Sequence, residues 1–217
     1  MSTPPRLLIL ASGRGSNLRA LLMAASEPNW PGQVVQLICN RPGAPVLEVA
    51  HTFGVATEVI DHQAFGSRES FDAQLLVRCR AHQPDLIVLA GFMRVLDEAF
   101  VTAFEGRLIN IHPSLLPSFA GLHTHRRALQ AGVKLAGATV HYVTAQLDHG
   151  PIIIQAAVPV QAHDDEASLA ERVLQAEHRI LPLAVSWHLQ GQLDVQDGIV
   201  RHQGGAAQFL WSEGNSP

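Results

Sequence analysis

Short apolar runs alternate with amphipathic stretches along most of this chain, the rhythm of strands and helices taken in turn. The apolar runs predict strands at Leu7–Ala11, Val34–Cys39, Ala56–Ile60, Leu86–Ala90 and Leu108–Ile111, followed by Ala138–Val143 and Ile152–Val158. Helical spacing falls between them, at Asn17–Ala25, Val46–Phe53, Ser67–His82, Asp97–Phe104 and Thr124–Gln130. Strands separated by helices imply a parallel sheet with right-handed crossovers, so the first five strands are expected to form one. Only Thr144–Pro151 joins the last two apolar runs, too short a link for a parallel crossover, and they are expected to pair antiparallel. A long helix is expected over Glu166–Leu189, bent near Pro182, with Leu169, Val173, Ala176, Ile180 and Ala184 on its core face. Gln192–His202 reads as a hairpin turning at Asp197-Gly198, and Gly204–Pro217 as a loose tail. The fold class is α/β: a doubly wound sheet, parallel in its N-terminal half, with an antiparallel element in the C-terminal half. One domain over residues 1–217 is expected, since no linker or repeat interrupts the pattern.

Composition narrows the partners. With 217 residues, 47% hydrophobic, the chain can bury a full core. A net charge of -4 and no basic run argue against nucleic acid, and no apolar run nears the roughly 20 residues that span a bilayer. A small molecule is the expected partner, in the cytoplasm. Cys39 and Cys79 are too few for a disulfide framework and read as core filler.

The segment with the most chemistry is Asn110-Ile111-His112-Pro113-Ser114-Leu115-Leu116-Pro117. Side chains repeat with period two in a strand, so Asn110 and His112 emerge on one face and can act on one substrate atom. The alternative is a buried structural pair. The first strand runs into Ser12-Gly13-Arg14-Gly15-Ser16-Asn17-Leu18, where glycine-rich backbone and a helix N-terminus suit a phosphate. Leu18 stands where a dinucleotide fingerprint has its third glycine, there is no Walker lysine, and a tight connection remains the other reading.

Asp148, in Leu147-Asp148-His149-Gly150-Pro151, has the residue type of an ordinary turn. In a doubly wound sheet the ligand crevice lies beyond the carboxyl ends of the strands, and a loop folded over it would bring this carboxylate to His112. Gly91-Phe92-Met93-Arg94-Val95-Leu96 puts apolar side chains in a βα loop, either as a wall for a flat aromatic ligand or as helix packing. Glu177, at the edge of the last helix's apolar stripe, wants an arginine or the hydroxyls of a sugar. The twelve histidines include His123-Thr124-His125 but no metal-binding spacing, so no metal is expected.

Together SGRGSNL, LAGFMRVL, NIHPSLLP, GLHTHRRAL, GATVHYV, LDHGPIII and the Glu177 helix resemble the glycinamide ribonucleotide formyltransferase family of purine biosynthesis, over roughly residues 6 to 200. The resemblance implies a Rossmann-like fold, 10-formyltetrahydrofolate as co-substrate, glycinamide ribonucleotide as acceptor, no metal, and a monomer or homodimer. It implies Asn110 as donor to the oxyanion of a tetrahedral intermediate and His112 as the proton-handling group. Asp148 is implied to hold His112 charged, with His141 in support. Gly15, Ser16 and Asn17 are implied to take the phosphate and Glu177 the ribose. Arg68, Met93, Arg94, Val95, Leu96, Asn110, Thr144, Ala145, Gln146, Leu147 and Asp148 are implied to line the folate site. The rivals are a formyltetrahydrofolate hydrolase, a non-catalytic folate or nucleotide module, and a dinucleotide oxidoreductase. The last would need an acid where the second strand ends in Cys39-Asn40-Arg41.

Overall fold

The protein is described by a computed structural model over residues 3–212. The chain divides into two compact units between Asn110 and Ile111, inside one strand.

The first unit holds β1 (Arg6–Ala11), α1 (Ser16–Ala25), β2 (Gln33–Cys39), α2 (Val46–Thr52) and β3 (Thr57–Val59), then α3 (Arg68–Ala81), β4 (Leu86–Leu89), α4 (Glu98–Ala103) and the start of β5 (Leu108–His112). Every strand pairing here is parallel, in the order β3-β2-β1-β4-β5. Leu7, Leu8, Ile9 and Leu10 of β1 and Leu86, Ile87 and Val88 of β4 are fully buried. Strands covered on both faces need continuous apolar runs, which is why these segments were readable without alternation. The chain adds β2 and β3 on one side of β1, then returns to lay β4 on the other. That reversal opens a crevice at the carboxyl ends of β1 and β4, where ligands bind in such sheets.

Helix ends follow side-chain caps. Ser67, expected inside α3, is its N-cap in a reciprocal capping box with Ser70, and Asp97 caps α4 by accepting from Phe100 N–H at 2.7 Å. A short 3₁₀ turn at His62–Ala64, started by the Asp61 carboxylate accepting from Gln63 N–H, was not foreseen. Cys39 and Cys79 are buried and free, and burial raises both thiols, Cys79 to about 12. They are core side chains without nucleophilic character.

The second unit runs from Ile111-His112 at the end of β5 through α5 (Thr124–Gln130), β6 (Leu135–Tyr142), β7 (Ile152–Pro159), α6 (Glu166–Leu189), β8 (Leu193–Gln196), β9 (Ile199–His202) and β10 (Phe209–Trp211). β6 and β7 pair antiparallel, as the short connection requires. β8 and β9 form a hairpin through Asp197 and Gly198, at φ 52° and 75°, the left-handed backbone that such a two-residue turn demands. α6 is started by an Asp165–Ser168 capping box and buries Leu169, Val173, Ala176, Ile180 and Ala184, the stripe read from spacing. Ahead of it Asp164 receives two bonds from the Arg172 guanidinium, at 2.7 and 2.8 Å, which hold its carboxyl well below the usual carboxylate range.

The expected loose tail is corrected in part. Phe209–Trp211 is a strand, pairing in parallel with Gln155–Ala157 of β7, and Gln208 donates to the Ile153 carbonyl at 2.7 Å. Tertiary pairing orders a segment whose own sequence carries no strand periodicity. The remaining tail, 213–217, lies outside the described residues.

Candidate active site

At the crevice of the first unit, β1 gives way to Ser12-Gly13-Arg14-Gly15 and α1 begins at Ser16. Gly15 is the N-cap at φ 82°, and no side chain caps the first amides of α1. A Cβ at this position would lie 2.9 Å from the Val46 Cα, which explains the glycine by packing. Ser16 is half-buried and Asn17 buried.

The neighbouring loop follows β4. Ser12 Oγ accepts from Met93 N–H at 2.8 Å, tying the two loops of the crevice together. The far end of this loop is fixed by Asp72, a fully buried carboxylate that accepts from Asp97 N–H at 3.0 Å and pairs with Arg68 at 3.5 Å. Burial, then the nearby Asp97 charge, raises the Asp72 carboxyl against the opposing pull of its partners. Arg94 lies over the Phe71 ring, 5.0 Å from its centroid. Met93 and Val95 stay exposed, at 62% and 46%, while Leu96 is buried. Exposed apolar side chains on a loop pinned at both ends offer a rigid greasy surface, the property expected of an aromatic binding wall. Arg68, expected with this group, joins it through Asp72.

β5 carries Asn110, half-buried, and His112, buried, two residues apart. In the second unit Asp148 comes to His112: Oδ2 lies 3.5 Å from Nδ1, with both side chains under 10% exposed. Asp148 sits at φ 54°, and a Cβ at Gly150 would lie 1.7 Å from the Tyr142 carbonyl oxygen. Only glycine lets the turn fold back tightly enough to bring the carboxylate inward. Thr144, Ala145, Gln146 and Leu147 of the same loop are exposed, held by Thr144 Oγ1 donating to the Gln146 carbonyl at 3.2 Å.

The ring nitrogens of His112 both face acceptors. Nε2 lies 3.2 Å from the Phe119 carbonyl, which can only accept, and Nδ1 faces the Asp148 carboxylate. His141 is buried alongside, with Nε2 3.9 Å from Asp148 Oδ1 and Nδ1 donating to the Tyr142 carbonyl at 2.8 Å. Burial lowers its pKa more than Tyr142 and Asp148 raise it, and the His112 charge lowers it further, so it stays neutral beside the pair. Asp148 also accepts from Gly121 N–H at 2.8 Å. The Phe119 carbonyl and the Gly121 amide escaped sequence reasoning, because backbone groups carry no residue-type signal.

Glu177 lies buried on α6, between Ala176 and the Ile180 turn. A cavity of about 90 Å³ adjoins Pro113 and Ser114 and includes His125, whose buried Nε2 has no protein partner and whose pKa burial lowers. At that size it holds water and not a folate.

The buried His112–Asp148 pair suits acyl transfer, and the sequence profile of the formyl transferase family matches residues 5–185. The chain belongs to that family. It is 46% identical over 191 residues to the phosphoribosylglycinamide formyltransferase of Escherichia coli (strain K12), covering 88% of this chain and 90% of that protein. The protein of the same name from Bacillus subtilis (strain 168) is 37% identical, with 83% and 92% covered. The crystal structure of phosphoribosylglycinamide formyltransferase from Anaplasma phagocytophilum superposes with a TM-score of 0.90 at 43% identity, over 96% of this chain and 98% of that one. This formyl transferase has the Rossmann-like α/β fold, mostly parallel with antiparallel strands added. Among its described residues no helix is long and apolar enough to cross a membrane, and no three His, Cys, Asp or Glu side chains group as metal ligands.

Proposed function

We propose that this formyl transferase moves a formyl group from 10-formyltetrahydrofolate to the glycinamide amine of N1-(5-phospho-D-ribosyl)glycinamide, in purine biosynthesis. The observation that carries the reading is the buried His112–Asp148 pair at the end of β5, two residues after Asn110, in a chain so similar to named phosphoribosylglycinamide formyltransferases. The amine attacks the formyl carbon and the carbonyl oxygen takes up charge. Asn110 donates to that oxyanion from its side-chain amide. His112, set between the Asp148 carboxylate and the Phe119 carbonyl, handles the proton that leaves the amine and reaches the folate nitrogen as it departs. Asp148 keeps the ring oriented, and His141 supports it as a neutral neighbour. Gly15, Ser16 and Asn17 hold the phosphate and Glu177 the ribose. Arg68, Met93, Arg94, Val95 and Leu96 line the folate subsite with Asn110 and with Thr144, Ala145, Gln146, Leu147 and Asp148. The whole chain works as one formyltransferase domain, a cytoplasmic monomer or homodimer that needs no metal.

The purified protein should release deformylated folate rapidly only when the ribonucleotide is present. Equal release without the acceptor would make it a hydrolase, and no release in either case would leave a binding module. The phosphate assignment has its own test. Ser16→Asp adds a carboxylate in the first turn of α1, which favours the helix by about 0.3–1 kcal/mol and repels a bound phosphate. The expected result is an unchanged or higher melting midpoint together with a KM for the ribonucleotide raised roughly tenfold or more, and little change for folate. An unchanged ribonucleotide KM would remove the phosphate from this turn.

A further inference from the structure

The segment 119–122 reaches both members of the buried pair through its backbone alone. The Phe119 carbonyl accepts from His112 Nε2 at 3.2 Å, and Gly121 N–H donates to Asp148 Oδ2 at 2.8 Å. Both contacts depend on left-handed backbone, φ 57° at Phe119 and 80° at Gly121. Glycine adopts it freely, whereas a bulky aromatic residue resists it. The turn is therefore held from outside. Arg127, on α5, does this with one side chain. Its guanidinium lies over the Phe119 ring, 5.6 Å from the centroid, and Nη1 donates to the Ala120 carbonyl at 2.5 Å and the Leu122 carbonyl at 3.4 Å. These carbonyls flank Gly121, so the grip falls on either side of the amide that meets Asp148. The opposite end of the turn is tied separately, by Ser114 Oγ donating to the Ser118 carbonyl at 2.7 Å.

We propose that Arg127 is a positioning residue for formyl transfer: it clamps the 119–122 turn so that the Phe119 carbonyl and the Gly121 amide hold the His112 ring and the Asp148 carboxylate in register. The proposal rests on the reading of His112 as the proton-handling group. Arginine suits the role because its planar fork stacks on a ring and reaches two carbonyls at once, while a lysine ammonium is a point charge. Arg127 is exposed and outside the core, so its loss leaves the fold intact while loosening the turn.

The test joins ¹⁵N NMR of the His112 ring with steady-state kinetics on Arg127→Ala and Arg127→Lys, each checked by thermal unfolding. In Arg127→Ala the Nε2 signal should shift as its bond to Phe119 loosens, and kcat should fall roughly five- to twentyfold, with both KM values within about twofold of the parent. Arg127→Lys, the folded control, should recover only part of the loss. Unchanged ring signals in Arg127→Ala would overturn the clamp. Altered ring signals with unchanged kcat would instead overturn the catalytic reading of His112. A raised KM with kcat intact would overturn positioning in favour of direct substrate contact.

Discussion

His112→Ala is expected to lower kcat by roughly 10²- to 10⁴-fold while the KM for each substrate changes little, because the ring acts in the transition state and not in holding either ligand. The structure strengthens the expectation in two ways. The ring is buried, so water replaces it poorly as a proton carrier, and its two nitrogens are oriented by Asp148 and the Phe119 carbonyl. A variant lacking the imidazole loses the proton path. It also leaves the buried Asp148 carboxylate with Gly121 N–H as its one hydrogen-bond donor among the described residues, so some loss of stability accompanies the loss of rate. The measurement is kcat and both KM values at saturating co-substrate, with a melting curve at the same pH. Near-parental kcat in a folded variant would take His112 out of the chemistry.

The parts of this site differ in how far the sequence exposed them. Asn110 and His112 were readable together because strand periodicity fixes which residues share a face, and β5 is a strand as expected. α6 was readable to its ends, since Asp165 and Ser168 form its capping box and its apolar stripe stays buried from Leu169 to Val185. The approach of Asp148 was anticipated only as a condition on loop closure. What makes it happen is local, namely the tight return at Gly150 and the positive φ of Asp148 itself, and neither is distinguishable in sequence from an ordinary turn. β10 was missed because three residues at a sheet edge owe their conformation to β7 and not to their own pattern. Arg127 stood inside a recognised motif without a role. Its function depends on where three carbonyls and one ring point after folding, which residue identity does not encode.

Asn110→Ala should cost about 3 kcal/mol of transition-state stabilisation, roughly a hundredfold in kcat, if its amide donates to the oxyanion. The direction of the split between kcat and KM carries the argument. A donor aimed at the charge that develops on the formyl oxygen gains most of its energy as the tetrahedral intermediate forms, so its removal lowers kcat and kcat/KM together. A donor that merely recognises the resting formyl or pterin group contributes equally before and during reaction, and its loss appears as a higher KM for folate. Asn110 lies within β5, a strand and not a loop, two residues before His112. Rigid placement is the condition under which a single hydrogen bond is worth this much, because no reorganisation is needed when charge appears. Asn110→Asp sharpens the test. It keeps the shape but presents an acceptor to the oxyanion, and kcat should fall at least as far as in the alanine variant. A folded Asn110→Asp enzyme with kcat near the parent would exclude the amide from oxyanion stabilisation.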